Sequence, residues 1–363
     1  MKTKFAYFAA LETPEIRFMQ RAIELAGFGQ GFVSPNPMVG CVITSGSKII
    51  GEGFHAKYGM PHAEVNAINA VTQKDLLPDS TLYVSLEPCS HTGKTPPCTN
   101  LILQSGIRKV VVAAEDPNPK VAGSGIRLLR EAGLEVQTGI LQNEAQFINR
   151  RFFTFHQEKR PYIILRWAES ADGFCDHDRS STKRESIPVS GILSRQLSHI
   201  WRTQEQAILV GAQTVLTDDP SLTPRLWPGK PPLRILFDPS LRAPENSQLL
   251  QDGYETLVFN HLKSEQSVAC TWIKIDTEQD FIEALKEELY SRKILSFMVE
   301  GGPETLRRFL AIGAWDEIRR FRSPNLITKG VSAPQLNVPP DISQASGDDT
   351  LEVFFKPFSK LIG

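Results

Sequence analysis

Short apolar segments alternate with segments of helical periodicity along the chain, and this alternation restricts the possible folds more than any other feature. Apolar runs at 81–86 and 109–114 predict strands, and the spacing of apolar residues predicts helices at 98–104 and 126–132. Strands separated by helices form parallel or mixed sheets with helices on their faces. The first region of the chain is therefore predicted to be α/β.

The same reasoning completes this region in both directions. Thr13, followed by Pro14 and Glu15, is typical of a helix start, and apolar residues at helical spacing then continue to Ala26. The other elements predicted here are a strand pair at 39–43 and 49–53, a helix at 62–71, a strand at 135–139 and a helix at 143–155.

A break in the pattern predicts two domains. Lys159-Arg160-Pro161 interrupts the alternation before an apolar run at 162–165. A chain of 363 residues is long enough for two cores, so we expect domains at 13–150 and 160–363. In the second, strands are predicted at 207–210, 233–237, 256–259 and 295–299, and helices at 193–202, 281–289 and 303–311.

Composition excludes several classes of protein. A formal net charge of −1 provides no basic field for nucleic acid or for an anionic membrane. The five cysteines form no disulfide framework, which predicts a cytoplasmic protein. The apolar run at 5–11 is short for a signal peptide and ends at Glu12, so residues 1–12 are expected to be a disordered lead or an expression-neutral tail rather than an export signal.

Three residues in the first domain predict a zinc site. His62, Cys89 and Cys98 offer one imidazole and two thiolates, which leave a fourth position for water. Glu64 would then lie beside the metal and carry a proton. The pattern is similar to the H-x-E…P-C-x-x-C signature of zinc nucleobase deaminases, except that eight residues separate the cysteines. The alternative is a closed structural site with His55 or His91 as fourth ligand.

Several segments resemble the bifunctional deaminase–reductase family of riboflavin biosynthesis, in which the long cysteine spacing is normal. In the first domain these are SPNPMVG (34–40), HAEV (62–65), LEPCSHTGKTPPC (86–98) and DPNP (116–119). In the second they are PYIIL (161–165), SADG (170–173), AILVG (207–211), TVLTDDP (214–220), LTPR (222–225) and EGG (300–302). The resemblance covers nearly the whole chain.

This resemblance implies both folds and both activities. It implies an N-terminal cytidine-deaminase-like three-layer α/β/α domain and a C-terminal dihydrofolate-reductase-like α/β domain. The implied reactions are deamination of 2,5-diamino-6-(ribosylamino)pyrimidin-4-one 5′-phosphate with one Zn²⁺, and NADPH-dependent reduction of the ribosyl to a ribityl chain. The implied partners are this small pyrimidine ribotide and further copies of the chain, as a dimer or tetramer, with no nucleic acid or membrane.

The resemblance also implies roles for individual residues. His62, Cys89 and Cys98 are the implied zinc ligands, and Glu64 is the implied proton shuttle. The implied substrate contacts of the deaminase are Asn36, His55, His91, Lys94, Asp116 and Asn118. The implied cofactor contacts of the reductase are Ala168, Pro188, Thr214, Asp218, Gly302, Pro303, Glu304 and Thr305. Its implied substrate contacts are Arg166, Ser186, Arg202, Leu222, Arg225 and Glu300.

Two departures from the family pattern leave an alternative open. Arg166 stands where the family usually has lysine, and arginine cannot donate a proton near neutral pH. Pro188-Val189 replaces the usual Trp-Ile. The alternative is therefore a monofunctional deaminase with a catalytically weak or non-catalytic reductase-like domain. A deaminase of free cytidine or tRNA adenosine is disfavoured by the long cysteine insert and the fused second domain.

Two cysteines outside these motifs are expected to have no catalytic role. Cys41 lies in an apolar strand and is predicted to be a small core residue. Cys175, followed by Asp176 and His177, is predicted to lie in a polar loop, because one short cluster lacks ligands from a second element.

Overall fold

The computed structural model describes residues 13–91, 96–119, 121–177 and 187–356. The expectations for residues 1–12, Lys94 and Ser186 lie outside these ranges. Contacts between Cα atoms divide the chain into two compact units, Met1–Lys159 and Arg160–Gly363. Among the described residues, no helix has the length and apolar character that crossing a membrane requires.

The N-terminal unit is a five-stranded mixed sheet with the strand order β2-β1-β3-β4-β5. Strand β1 is antiparallel to β2 and β3, whereas β3, β4 and β5 are mutually parallel. Its strands are β1 (Gly40–Ser45), β2 (Lys48–Phe54), β3 (Thr81–Leu86), β4 (Lys109–Ala114) and β5 (Glu135–Thr138). Its helices are α1 (Pro14–Gly27), α2 (Ala63–Ala70), α3 (Cys98–Ser105), α4 (Ser124–Glu131), α5 (Gln142–Ile148) and α6 (Arg150–Glu158), with a 3-10 helix at Lys74–Asp79.

Glycines allow α1 and α2 to pack directly on opposite faces of this sheet. A Cβ atom at Gly40 would lie 2.0 Å from the carbonyl oxygen of Ala22 in α1. A Cβ atom at Gly53 would lie 2.4 Å from the amide nitrogen of Ala67 in α2. Gly53 pairs directly with Cys41, so the two glycines face opposite ways. This arrangement confirms the predicted three-layer α/β/α domain, with Cys41 in its core.

The single helix predicted at 143–155 is wrong, because the chain turns at Asn149 between α5 and α6. The Asn149 side chain binds both backbone groups of Met38, accepting from its N–H and donating to its C=O, each at 2.8 Å. Asn149 is 2% exposed, so water cannot replace these bonds. The turn therefore anchors the segment that precedes β1, in which Asn36 lies.

Replacing Asn149 with alanine is expected to lower the free energy of unfolding by about 1–3 kcal/mol, because two buried backbone groups of Met38 lose their partner. Chemical unfolding followed by circular dichroism measures this change. The matched control is alanine at Asn143, an exposed residue in the first turn of α5. Equal stabilities of the two variants would contradict the role assigned to Asn149.

The C-terminal unit is built on a ten-stranded sheet of order β11-β12-β10-β9-β8-β13-β6-β14-β17-β16, with a separate pair, β15-β7. Its strands are β6 (Tyr162–Glu169), β7 (Phe174–His177), β8 (Ala207–Gly211), β9 (Leu233–Phe237), β10 (Thr256–Asn260), β11 (Glu265–Gln266), β12 (Cys270–Lys274), β13 (Ser296–Val299), β14 (Glu317–Arg322), β15 (Gly330–Ser332), β16 (Ile342–Ser346) and β17 (Asp349–Phe355). Its helices are α7 (Ile192–Gln204), α8 (Ala212–Asp218), α9 (Gln248–Gln251), α10 (Phe281–Ser291) and α11 (Pro303–Ala311).

The centre of the large sheet is parallel and buried on both faces. Strands β9, β8, β13, β6 and β14 run in the same direction. Their carboxyl ends therefore meet at one edge, which is where ligands bind in open α/β sheets. Glu300 follows β13 at this edge, and Gly211 ends β8 there.

Cys175-Asp176-His177 is not the polar loop that we expected, since it forms most of β7. This strand pairs antiparallel with β15, more than 150 residues later in the sequence. Cys175 is half-buried against the apolar core of the sheet. A partner strand so distant in sequence leaves no local periodicity for a prediction to use.

Candidate functional site

Three predicted metal ligands come together in the N-terminal unit. His62 immediately precedes α2, Cys89 follows β3, and Cys98 is the first residue of α3. The Nδ1 atom of His62 lies 3.6 Å from Sγ of Cys89 and 3.4 Å from Sγ of Cys98. All three ligand atoms lie within 4.8 Å of one another. This is the donor set of a catalytic zinc site, in which a fourth position stays open.

The electrostatics of this group favour a thiolate. A hydrogen bond from Cys98, and then one from His62, lower the pKa of Cys89 to about 4. The backbone N–H of Cys98 also donates to Sγ of Cys89 at 3.3 Å. The pKa of Cys98 is raised, because its thiol holds a proton in the hydrogen bond to Cys89, because it is buried, and because further negative charge lies nearby. A bound divalent cation removes this conflict, so the residues present fit zinc.

Glu64 lies next to the three ligand atoms but outside their group. Its side chain comes from the first turn of α2 and is 3% exposed. Burial, followed by the charge of Cys89, raises the pKa of Glu64 to about 7. A carboxyl group with such a pKa can both accept and release a proton near neutral pH.

Asn36 and His55 meet on one side of the metal group. The Nδ2 atom of Asn36 lies 3.2 Å from Nε2 of His55, whose Nδ1 lies 3.2 Å from the carbonyl oxygen of Pro61. We therefore assign the ring proton to Nδ1. The His55 and His62 rings are 5.2 Å apart, and burial lowers the pKa of His55. Both ring nitrogens of His55 are engaged, and His55 is not part of the metal-ligand group found among the described residues. His91 is not part of that group either.

Asp116 and Asn118 lie in the loop that follows β4. Oδ1 of Asp116 accepts the Asn118 N–H at 2.8 Å, and burial raises the pKa of Asp116 to about 6. The loop is fastened by Glu87, a buried residue that our sequence reasoning did not single out. The sequence did offer a sign of this role: Glu87 is a charged residue directly after an apolar strand, it precedes a proline, and it stands two positions before Cys89.

A second cluster of charge lies at the carboxyl edge of the large sheet. Arg202 of α7 holds Glu300 with two bonds, Nε to Oε1 at 3.2 Å and Nη2 to Oε2 at 2.6 Å. Nη1 of Arg166, from β6, lies 3.9 Å from the same carboxylate. Burial alone would raise the pKa of Glu300, but the charges of Arg202 and Arg166 hold it below its usual value. Arg202 also donates to the carbonyl oxygen of Thr223 at 3.2 Å.

His199 adds a neutral imidazole to this cluster and was missed by sequence reasoning. It lies one helical turn before Arg202 and is 7% exposed. The Leu226 N–H donates to its Nδ1 at 3.4 Å. Burial, and then the charge of Arg202, lower the pKa of His199 to about 4. His199 thus joins α7 to the loop that contains Leu222 and Arg225.

The turn between β13 and α11 is close-packed around Thr305. A Cβ atom at Gly301 would lie 3.0 Å from that of Thr305, so a larger residue does not fit there without a shift. Oγ1 of Thr214 accepts the N–H of Gly302 at 3.0 Å. The start of α11 lies against the carboxyl end of β8, since a Cβ atom at Gly211 would lie 2.6 Å from Oγ1 of Thr305.

The other residues expected to contact the cofactor or substrate are less closely grouped. Ala168 lies near the end of β6, Asp218 ends α8, and Pro188 is exposed outside any element. Glu304 is exposed and pairs with Arg308 at 3.2 Å along α11.

The fold and the two sites define a class of protein: a zinc-binding deaminase domain fused to an α/β reductase domain. Residues 12–114 match the family described as "Cytidine and deoxycytidylate deaminase zinc-binding region". Residues 161–339 match the family described as "RibD C-terminal domain".

Similar proteins cover both units together. Riboflavin biosynthesis protein RibD of Aquifex aeolicus is 40% identical over 330 residues, which are 88% of this chain and 90% of that protein. RibD of Escherichia coli is 34% identical over 327 residues, which are 85% of this chain and 88% of that protein. A crystal structure of a deaminase/reductase from Thermotoga maritima is 36% identical with a TM-score of 0.82, covering 94% of this chain and 98% of that one. The chain belongs to the RibD family of bifunctional riboflavin biosynthesis enzymes.

The low pKa of His199 predicts a pH dependence of stability. The unfolded chain binds a proton on this imidazole near pH 6.5, whereas the folded chain binds it only near pH 4. The neutral form therefore supports folding above pH 6.5, and that contribution is lost as the pH falls toward 4. In His199→Gln, the loss of stability over this window should be smaller by roughly 1–3 kcal/mol. Unfolding by denaturant at several pH values measures it, and identical pH profiles would contradict the assignment.

Proposed function

We propose that this chain deaminates 2,5-diamino-6-(ribosylamino)pyrimidin-4-one 5′-phosphate at its 2-amino group and then reduces the ribosyl to a ribityl chain with NADPH. The observation that carries the proposal is the convergence of His62, Cys89 and Cys98 beside the buried Glu64. The similar protein from Thermotoga maritima is a diaminohydroxyphosphoribosylaminopyrimidine deaminase and 5-amino-6-(5-phosphoribosylamino)uracil reductase, which supports the substrate class.

In the deaminase half, His62, Cys89 and Cys98 would hold the zinc. When bound, zinc acts as a Lewis acid that makes water a nucleophile near neutral pH. Glu64 takes a proton from the attacking water on its carboxylate and delivers it to the amine that leaves as ammonia. Its buried position and raised pKa suit a group that must change its protonation state in each turnover.

The surrounding polar residues would orient the pyrimidine ribotide. Asn36 and His55 support each other through a hydrogen bond of 3.2 Å, and they offer polar groups on one side of the metal. Asp116 and Asn118 offer a carboxyl group and an amide on the loop after β4. His91 is exposed beside Cys89 and contributes a positive charge near Asp116 when protonated. Lys94 belongs to the same proposal but lies outside the described residues.

In the reductase half, the turn at Gly301-Gly302 would receive the pyrophosphate of NADPH. Residues from Gly302 to Thr305 begin α11, whose first amide groups attract anions. Oγ1 of Thr214 accepts the N–H of Gly302 and so fixes this turn, and Ala168, Asp218 and Pro188 are the further proposed cofactor contacts. When bound, NADPH supplies the hydride that, with a proton, opens the ribosylamino ring to the ribitylamino chain.

The arginines would bind the ribotide in the reductase. Arg202 and Arg225 suit its phosphate, because a guanidinium binds phosphate through paired N–H groups. Arg166 and Glu300 lie together near the carboxyl edge of the sheet and would contact the sugar. Leu222 is a further proposed contact of the substrate. Among the described residues, the buried Nε atom of Arg166 has no hydrogen-bond partner. Ser186 is also proposed, outside the described residues.

A coupled assay tests the whole proposal. Zinc-loaded protein receives the diaminopyrimidine phosphate and NADPH, and release of ammonia and loss of NADPH are followed together. We expect both, with loss of NADPH following release of ammonia. Ammonia without loss of NADPH would leave a monofunctional deaminase, and Arg166→Lys would then test whether arginine disables the reductase. Release of ammonia from cytidine but not from the diaminopyrimidine would overturn the proposal.

Glu64→Gln should lower the rate of ammonia release by about 10²–10⁴-fold, because the amide cannot carry the proton. Bound zinc and reduction of the deaminated intermediate should both be retained. Glu144→Gln, a change at an exposed residue of α5, is the matched control and should behave as wild type. Cys89→Ser should instead lose zinc. Full deaminase activity in Glu64→Gln would remove the assigned role.

A further inference from the structure

Glu87 is a buried carboxylate that is surrounded by backbone amides. It lies between β3 and Cys89 and is 5% exposed. Its Oε2 accepts the N–H of Asp116 at 3.1 Å and of Gly123 at 2.9 Å. Its Oε1 accepts the N–H of Gly125 at 2.8 Å and of Ile126 at 3.3 Å. Four N–H donors can satisfy a buried negative charge that has left water.

These four donors come from both ends of one loop. Asp116 stands two residues beyond the end of β4, whereas Gly123, Gly125 and Ile126 form the start of α4. The backbone N–H of Glu87 also donates to the carbonyl oxygen of Ala114, at 2.9 Å, which ties its main chain to the last residue of β4. One side chain therefore closes the loop in which Asp116 and Asn118 lie.

The loop is also pressed against the turn that contains Cys89. A Cβ atom at Gly125 would lie 2.0 Å from the carbonyl oxygen of Pro88, so only glycine fits there. The hydroxyl oxygens of Ser90 and Ser124 are 2.7 Å apart, which adds a second link between the two segments. We call the turn at Pro88–Ser90, which contains Cys89, the metal turn. Its separation from the loop is thus set by direct contact and by the length of the Glu87 side chain.

No other common side chain reproduces this network. Aspartate is one methylene shorter and cannot reach both ends of the loop. Glutamine keeps the length but has one acceptor oxygen, so its NH₂ group would face two backbone N–H donors. Buried donors without acceptors are costly, and the loop would move to satisfy them.

We infer that Glu87 is a positioning residue of the deaminase, which holds the Asp116–Asn118 loop at a set distance from the metal turn. It acts on binding of the pyrimidine ribotide, through the loop, and takes no part in metal binding or proton transfer. The inference rests on the proposed function, because it assigns the loop to the substrate side of that site.

Glu87→Gln in the full-length chain tests this role. We expect KM for the diaminopyrimidine phosphate to rise about tenfold or more, as loss of hydrogen bonds to a charged group predicts, with kcat within about threefold of wild type. Zinc content should be unchanged, and so should the rate of NADPH-dependent reduction of the deaminated intermediate. Glu131→Gln is the matched control, since Glu131 lies on α4, whose first amide groups Glu87 binds, but its side chain is 70% exposed.

Two outcomes in the folded variant overturn the inference. An unchanged KM would show that the loop does not need the carboxylate. Loss of zinc would show that Glu87 supports the metal turn instead. If Glu87→Gln does not fold, Gly123→Ala takes its place. Gly123 has φ +71°, so alanine strains the backbone at one of the amides that bind Glu87, while the carboxylate itself is unchanged. A wild-type KM in Gly123→Ala would then overturn the inference, whereas an inactive wild type would refute the proposed function itself.

Discussion

The close approach of α2 to the β1–β2 strands is the constraint on which the metal site depends. A Cβ atom at Gly51 would lie 2.5 Å from the carbonyl oxygen of Ala67, and one at Gly53 would lie 2.4 Å from its amide nitrogen. Because the helix contacts the strands backbone to backbone, its first turn has little freedom to move. His62 and Glu64 are consequently held at fixed positions opposite Cys89, in the turn after β3, and Cys98, at the start of α3.

The two units stabilise buried carboxylates in different ways. Glu87 is surrounded by neutral amide dipoles, which hold a charge without adding another ion to the site. Glu300 is held by Arg202, with Arg166 nearby, and this leaves excess positive charge at the edge of the sheet. The first arrangement suits a link that holds two segments at a fixed distance. The second suits a site that must attract an anionic substrate.

Local patterns were sufficient for some elements and insufficient for others. Strands β3, β4 and β9 begin and end where the apolar runs predict, because each is buried on both faces. Strand β14 was not predicted, because its Glu317 and Arg319 are charged. Both are buried in a network with Glu205, with Nε of Arg319 2.6 Å from the Glu317 carboxylate. Charge that is paired inside the fold looks like a solvent-exposed segment in the sequence.

The sequence by itself determined the chemistry of the chain: an imidazole, two thiols and a carboxyl group in a deaminase motif, followed by a second domain with a glycine turn before a helix. Such motifs are local, so their residue types and spacing are visible without a fold. Only the tertiary structure decided which groups support them. Glu87, Asn149 and His199 act on partners that are 29, 111 and 27 residues away, respectively, through hydrogen bonds that form only after the segments pack. Such bonds depend on burial and distance in three dimensions, which spacing along the chain does not encode.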